Sequence, residues 1–462
     1  MIFAQNGKFS FFKSAFSLFA RRKIMNTLGI LGIVLAFALL MFLIMRNLNL
    51  YLTVFICVAV VITFNALNPY ETFKETYMTG FVGFFKNYFL LFLAGTVLAK
   101  FMDITNGARS IAQTIIKSIG KDWAFVSVPI ACAILSYGGV SAHVGAFCVF
   151  AIALEIWREA DLPRRALPGT LFYGVATFGM IAPGAVQIHN AVPATNLGTS
   201  YMAGAVVGFI SIAFMGIAGI AYLKFWLDNA KKKGEHFIER ADDDFTSEEN
   251  QNLPPFILAL LPLIICIALV NIKIGGNSFP VEAAVFIAAL SALGLMWKYL
   301  DKSKKIQVSF QEALTTAIIS VSNTCCVVGF GSVVSSTDSF QDIVQVMLNI
   351  PGPRLLSLLI GTTVICGICG SASGGLGIAV PILGPVYTQM GVAPAIVHRV
   401  MSLSSSALDS LPHNGVVVTI TTGLCKETHR DSYPLTCVLS VVIPFIGSLI
   451  GVILFTLFPG LP

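Results

Sequence analysis

The chain has 462 residues, 56% hydrophobic and only 11% charged, with a net charge of +6. An ordinary soluble domain carries roughly 25% charged residues, so a water-soluble enzyme, a disordered chain and a nucleic-acid binder are excluded. A mean hydropathy of +0.83 leaves one class, an all-α polytopic membrane protein. Nearly all of the ten cysteines lie inside apolar runs and read as small hydrophobes. Cys366-Gly-Ile-Cys369 has redox spacing, but no second pair accompanies it.

Residues 1–24 carry Lys8, Lys13, Arg21, Arg22 and Lys23 and no acid, and read as a basic N-terminal extension. A spanning helix needs about 20 apolar residues, and runs of that kind follow at 25–45, 50–70 and 81–99. Residues 100–122 are amphipathic. The next runs, 123–154 and 166–223, contain no Asp, Glu, Lys or Arg and are too long for single passes. The polar segment 224–252 separates this first repeat (25–223) from a second (253–462).

In the second repeat the same order of segments returns. Residues 253–272, 279–297 and 313–337 match the first three spans, 338–354 the amphipathic piece, and 355–397 the long uncharged run. Residues 401–425 and 432–459 complete the set. Two segments also match residue by residue: Gly138-Gly-Val-Ser141-Ala-His143-Val-Gly145 with Gly370-Ser-Ala-Ser373-Gly-Gly-Leu-Gly377, and His189-Asn190-Ala-Val192 with His413-Asn414-Gly-Val416. If 123–154 and 355–397 each enter and return on one side, each half crosses five times. An odd count inverts the second half, so an inverted repeat is expected, each half with a re-entrant hairpin and a broken helix. Basic residues concentrate on the side of 224–252, with 19 Lys and Arg against five on the other side outside residues 1–24. By the positive-inside rule the central loop is cytoplasmic, in an inner cell membrane.

Non-helical backbone at membrane depth is tolerated only where protein buries it or it lines an aqueous cavity. Four Gly-, Pro- and Ser-rich interruptions, 136–145, 183–200, 370–377 and 404–415, therefore mark a candidate binding site. Helices broken there offer free N–H groups and a positive dipole end, which suits an anion. Ser141, Thr195, Asn196, Ser371, Ser373 and Asn414 are candidates to cap the half-helices or bind substrate, with Gln187, His189, Asn190 and His413 as further contacts. None of the four segments holds Lys or Arg, which suits one carboxylate better than a tricarboxylate. Asp409 is the single formal charge in them. It reads as a proton carrier with His413 and His189, as a cation ligand, or as an N-cap for the helix beyond Pro412. His143 is a weaker candidate. Metal ligands, cofactor motifs and a catalytic constellation are not expected: there is no Gly-x-Ser-x-Gly elbow and no His-Glu-x-x-His.

Tyr77-Met-Thr-Gly-Phe81 with Lys86-Asn-Tyr-Phe-Leu90, Tyr137-Gly-Gly-Val-Ser141, Arg158-Glu-Ala-Asp-Leu-Pro-Arg-Arg165 and Leu408-Asp-Ser-Leu-Pro-His-Asn-Gly415 resemble the gluconate permease (GntP) family of the ion transporter superfamily. The resemblance runs over nearly the whole chain from Met25. It implies proton symport of a small hydroxy-carboxylate, of the gluconate or hydroxybutyrate type, by alternating access with an elevator-like movement. Sodium coupling on the same fold is the alternative. The expected partners are the small organic anion, its proton, the bilayer and a second copy in a homodimer.

Overall fold

The computed structural model describes residues 26–40, 42–43, 46, 48–120, 123–240, 252–274, 277–301, 305–348, 353–412 and 414–461. The basic extension 1–24, residues 241–251 of the central loop and His413 lie outside the described residues. The described chain is almost entirely helical, apart from a two-residue strand pair, Lys273–Ile274 with Asn277–Ser278.

Four helices are long and apolar enough to cross a bilayer: Pro69–Ile104, Ala205–Lys232, Ile306–Ser335 and His429–Leu457. They fall at matching places in the two repeats, the first with the third and the second with the fourth. The apolar helices between them are shorter. Leu50–Phe64 has 15 residues, about 22 Å at 1.5 Å per residue. Ala205–Lys232 runs past Leu223, so the central loop begins only at Lys233.

The described residues divide into two compact units, one drawn from Met1–Gly83 and Cys325–Gly352, the other from Phe84–Thr324 and Pro353–Pro462. This division by contact differs from the division by duplication. The first unit is held by aromatic packing and close helix approach. Phe37 meets Phe330 edge-on at 5.2 Å, and the Tyr77 hydroxyl bonds the Cys326 thiol at 3.3 Å in a buried position. Glycine permits this: a Cβ at Gly329 would fall 2.7 Å from the Tyr77 ring.

The second unit contains all four interruptions. The run 123–154 is a hairpin, Ala124–Tyr137 and Ala142–Glu159, turned at Gly139 with φ +100°. Its counterpart is Arg354–Cys369 and Ala372–Gln389, turned at Gly370 with φ +57°. Left-handed backbone of this kind favours glycine. The first broken helix is Leu167–Phe172, a widened π turn Tyr173–Phe178, an irregular stretch, then Ile188–Leu197. The second is Pro394–Ser405, an irregular stretch, then Gly415–Val418 and the π turn Thr419–Leu424.

Packing runs within and between the repeats. Each hairpin packs on its own broken helix, and each broken helix also meets the other repeat's hairpin: Ala372–Gln389 lies against Ile188–Leu197, and Ala142–Glu159 against Thr419–Leu424. Hydroxyls on the first hairpin arms satisfy carbonyls of the broken helices. Ser136 Oγ donates to Val175 O at 2.6 Å, and Thr363 Oγ1 to Ser404 O at 3.0 Å.

Residues 233–240 form a clasp over two turns. Arg165 forks onto Glu235 at 2.6 and 2.7 Å and stacks on Trp226 at 4.6 Å. Arg240 donates to the carbonyls of Cys425 and Lys426 and to Glu427 Oε1 at 2.7 Å. Asp161 accepts from the Phe237 amide at 3.0 Å and lies 2.6 Å from His236 Nδ1. The His236 hydrogen bond, then the Phe237 amide, hold the Asp161 carboxyl below its ordinary value of 3.8. Its contribution is therefore complete above the ordinary value and is lost as pH falls through the lowered one. We expect amide protection at Phe237, corrected for intrinsic exchange, to be constant from neutral pH down to pH ~4 and to fall below it. Unchanged protection at pH ~2.5 would show that Asp161 does not hold the clasp.

Candidate functional site

In the first interruption the backbone leaves helix at Gly179 and resumes at Ile188. Gln187 spans the gap, its Nε2 donating to Ser136 O at 2.6 Å and Val140 O at 3.1 Å. Tyr137 Oη donates to Pro183 O at 2.9 Å, and the Val186 amide to Tyr137 O at 3.2 Å. Gln187 thus locks the break to the hairpin tip. The helix it precedes has no side-chain cap, and neither does the helix that starts after Ser141.

Asn190 is the hub of this interruption. Its Nδ2 donates to Ala182 O at 2.9 Å and Ala185 O at 3.0 Å. Both donors are used, so Oδ1 must face the other way. There it accepts from Arg399 Nη1 at 3.1 Å, His398 Nε2 at 3.3 Å and Ser402 Oγ at 3.4 Å. Arg399 has no exposed surface and donates also to Ala203 O at 2.8 Å, Ile181 O at 3.0 Å and Tyr201 O at 3.0 Å. One guanidinium therefore satisfies three carbonyls at the broken ends, and every acceptor it uses is neutral.

His189 is buried beside this cluster in sequence, and its Nδ1 has no hydrogen-bond partner. Thr195 and Asn196 lie at the exposed end of the same helix, where Asn196 donates to Tyr88 Oη at 3.2 Å. His143 is exposed on the hairpin.

The second interruption is built differently. Asn414 is the N-cap of its helix, accepting from the amides of Val416 at 2.7 Å and Val417 at 3.0 Å. Its Nδ2 donates to Gly370 O at the hairpin tip and to Asp409 O. The bond five residues back repeats that from Asn190 to Ala185. Asp409 does not cap the helix, because Asn414 occupies that place. Its carboxylate is buried and accepts from Ser410 Oγ at 2.7 Å. Ser371 caps Ala372–Gln389 through the Gly374 amide and shares a 2.9 Å hydrogen bond with Ser373.

The helices that start at the interruptions are thus uncapped in the first repeat and capped in the second, while the buried acid sits in the second. Sequence reasoning missed Arg399, which counted as a basic residue of an external loop. It is in the middle of Pro394–Ser405, and the basic tally of that side drops from five to four. His398 was missed with it. The readable signal is an Arg five residues past the N1 proline of a run that contains no acid.

A helical chain with four long apolar spans, paired hairpins and helices broken around buried polar groups defines a membrane transporter rather than an enzyme. Comparison with known proteins agrees. The chain belongs to the GntP permease family: residues 28–457 match the family described as GntP family permease. An uncharacterized transporter of Bacillus subtilis (strain 168), YxjC, is 30% identical over 446 residues, covering 87% of this chain and 93% of that protein. An uncharacterized permease of Haemophilus influenzae is 23% identical over 398 residues, covering 78% of each. Among solved structures, the Alcanivorax borkumensis YdaH transporter, described as having an unusual topology, aligns at TM-score 0.55 and 16% identity. The alignment covers 85% of this chain and 90% of that one, a likeness of fold.

Proposed function

We propose that this permease carries a small hydroxy-carboxylate together with a proton by alternating access, and that its two repeats divide the labour. The anion is held at the first interruption by the uncapped N-termini after Ser141 and Gln187, with the unpaired Nδ1 of His189 open to accept from the substrate hydroxyl. Asp409 in the second interruption takes the proton, with His413 beside it in sequence. The observation that carries this reading is the asymmetry between the repeats: open helix N-termini in one, a buried carboxylate in the other. Ser371, Ser373 and Asn414 already serve their own helices, so in this reading they shape the site more than they bind substrate. The halves are related by inversion, the central loop faces the cytoplasm and the protein works as a homodimer in the inner membrane.

The test is uptake of labelled gluconate, lactate and hydroxybutyrate into liposomes containing the purified chain. An inward proton gradient is expected to drive accumulation of at least one of them in sodium-free buffer. Accumulation that needs a sodium gradient, or transport of citrate alone, would overturn the proposal.

A further inference from the structure

We infer that Arg399 is the fixed counter-charge of the transported anion: it balances Asp409 in the empty carrier, and balances the substrate carboxylate once Asp409 has taken its proton. This rests on the proton–anion reading above and adds a stoichiometry and an electrical signature to it.

Among the described residues three Asp, Glu, Lys or Arg side chains are buried, Arg164, Arg399 and Asp409. Arg164 has Glu427 at 3.6 Å. Arg399 and Asp409 have no ion-pair partner among the described residues, and no ion pair joins them to each other. Both lie in the second unit, on either side of the repeat boundary in what they serve: Arg399 fastens the first interruption, and Asp409 belongs to the second. A lone buried ion costs several kcal/mol even after relaxation. Coulomb attraction in a low dielectric reaches beyond contact distance, so opposite charges lower each other's cost without touching.

The neighbours do not disturb this sum. Arg399 faces Tyr137 and His398, and Asp409 faces Cys366 on the second hairpin and Tyr433 on the last long helix. His413 also lies close in sequence, outside the described residues. Because Asn190 Oδ1 can only accept, His398 must donate from Nε2, and its Nδ1 shares a 2.6 Å hydrogen bond with Thr199 Oγ1. The Arg399 cation next in sequence disfavours a second positive charge on the ring, so His398 counts as neutral imidazole. A second proton on His189 would sit on an unpaired Nδ1, so it too counts as neutral.

Four states follow. Empty, with Asp409 ionised, the buried charge is zero. The anion adds one negative charge, and the proton, bonding to an Asp409 oxygen, adds one positive; the sum returns to zero. Anion alone or proton alone leaves a net charge, and these are the states the membrane penalises. Coupling is thus a rule of charge, with one proton per monocarboxylate and an electroneutral cycle.

The experiment uses full-length protein in liposomes with labelled gluconate and a clamped membrane potential. For the wild type we expect accumulation of about tenfold per unit of pH gradient, unchanged by the clamp. Asp409→Asn is expected to keep gluconate–gluconate exchange and lose response to the pH gradient. Its net uptake becomes that of a bare anion, driven about 50-fold by an inside-positive clamp of ~100 mV, from about 2.3 kcal/mol per charge. Arg399→Gln should weaken gluconate binding more than about tenfold, while Arg399→Lys, which keeps the charge, should retain voltage-independent uptake. Wild-type uptake that follows the clamp at zero pH gradient overturns the counter-charge, even if a variant fails to fold. So does Arg399→Gln binding gluconate like the wild type. Voltage-dependent, proton-driven uptake would leave the symport reading standing and sink only the counter-charge; absence of proton-driven uptake sinks both.

Discussion

Asn190→Ala is expected to lower folding stability by about 2–5 kcal/mol and to end uptake. The substitution removes five hydrogen bonds from one buried point. The Ala185 carbonyl loses its Asn190 donor, at about 1–3 kcal/mol for an orphaned buried group, while the Ala182 carbonyl keeps only the Ala185 amide. Arg399 loses the one side-chain acceptor that ties it to the helix of Asn190. Asn190→Asp separates the two halves of the effect. The carboxylate still accepts from Arg399 and cancels its charge, but the carbonyls of Ala182 and Ala185 lose the side-chain amide that joined them. We therefore expect a folded protein that no longer binds a carboxylate. Thermal melts in detergent and uptake into liposomes check both variants. A melt shifted by less than ~1 kcal/mol for Asn190→Ala would remove Asn190 from its place at the centre of the break.

Gly375→Ala is expected to open the second hairpin. A methyl group there would lie 2.5 Å from both the Cα and the Sγ of Cys366 on the opposite arm. The Cα belongs to a helix backbone that cannot swing aside as a flexible side chain does. Overpacking of this sort costs about 1–3 kcal/mol, occasionally more, and here it falls beside the Ser371–Ser373 turn. Gly294→Ala is the control. Nothing lies within 4 Å of its added methyl, and in the helix Val281–Leu295 the change should stabilise by about 0.5–1 kcal/mol. Equal melts for the two variants would mean that the hairpin arms do not need this close approach.

The sequence was legible where structure follows composition and order along the chain. Glycine and serine inside uncharged stretches marked the turns at Gly139 and Gly370. The lengths of 123–154 and 355–397 required a return within each, and both return. What resisted reading depends on contacts between distant segments. Arg399 looks like any loop arginine until the carbonyls of Ile181, Tyr201 and Ala203 are seen around it, some 200 positions earlier in the chain. Asp409 attracted an N-cap reading because Pro412 follows it, yet Asn414 caps the helix, its Oδ1 accepting from the backbone amides two and three residues ahead. Gln187 resembles a substrate ligand by position, and its amide is spent on the hairpin instead. Hydropathy likewise says nothing of the compact units, which cut across both repeats.

The cross-packing of hairpins on broken helices bears on whether residues 25–223 could stand alone. Ile188–Leu197 is buttressed by Ala372–Gln389 and by Pro394–Ser405, and Arg399 of the latter closes the first break. Cut off from residues 253–462, the carbonyls of Ile181, Tyr201 and Ala203 would lose their arginine donor, so the first break is completed only within the longer chain. Residues 253–462 thus supply both charges, Arg399 where the first stretch has Val175 and Asp409 where it has Ala185.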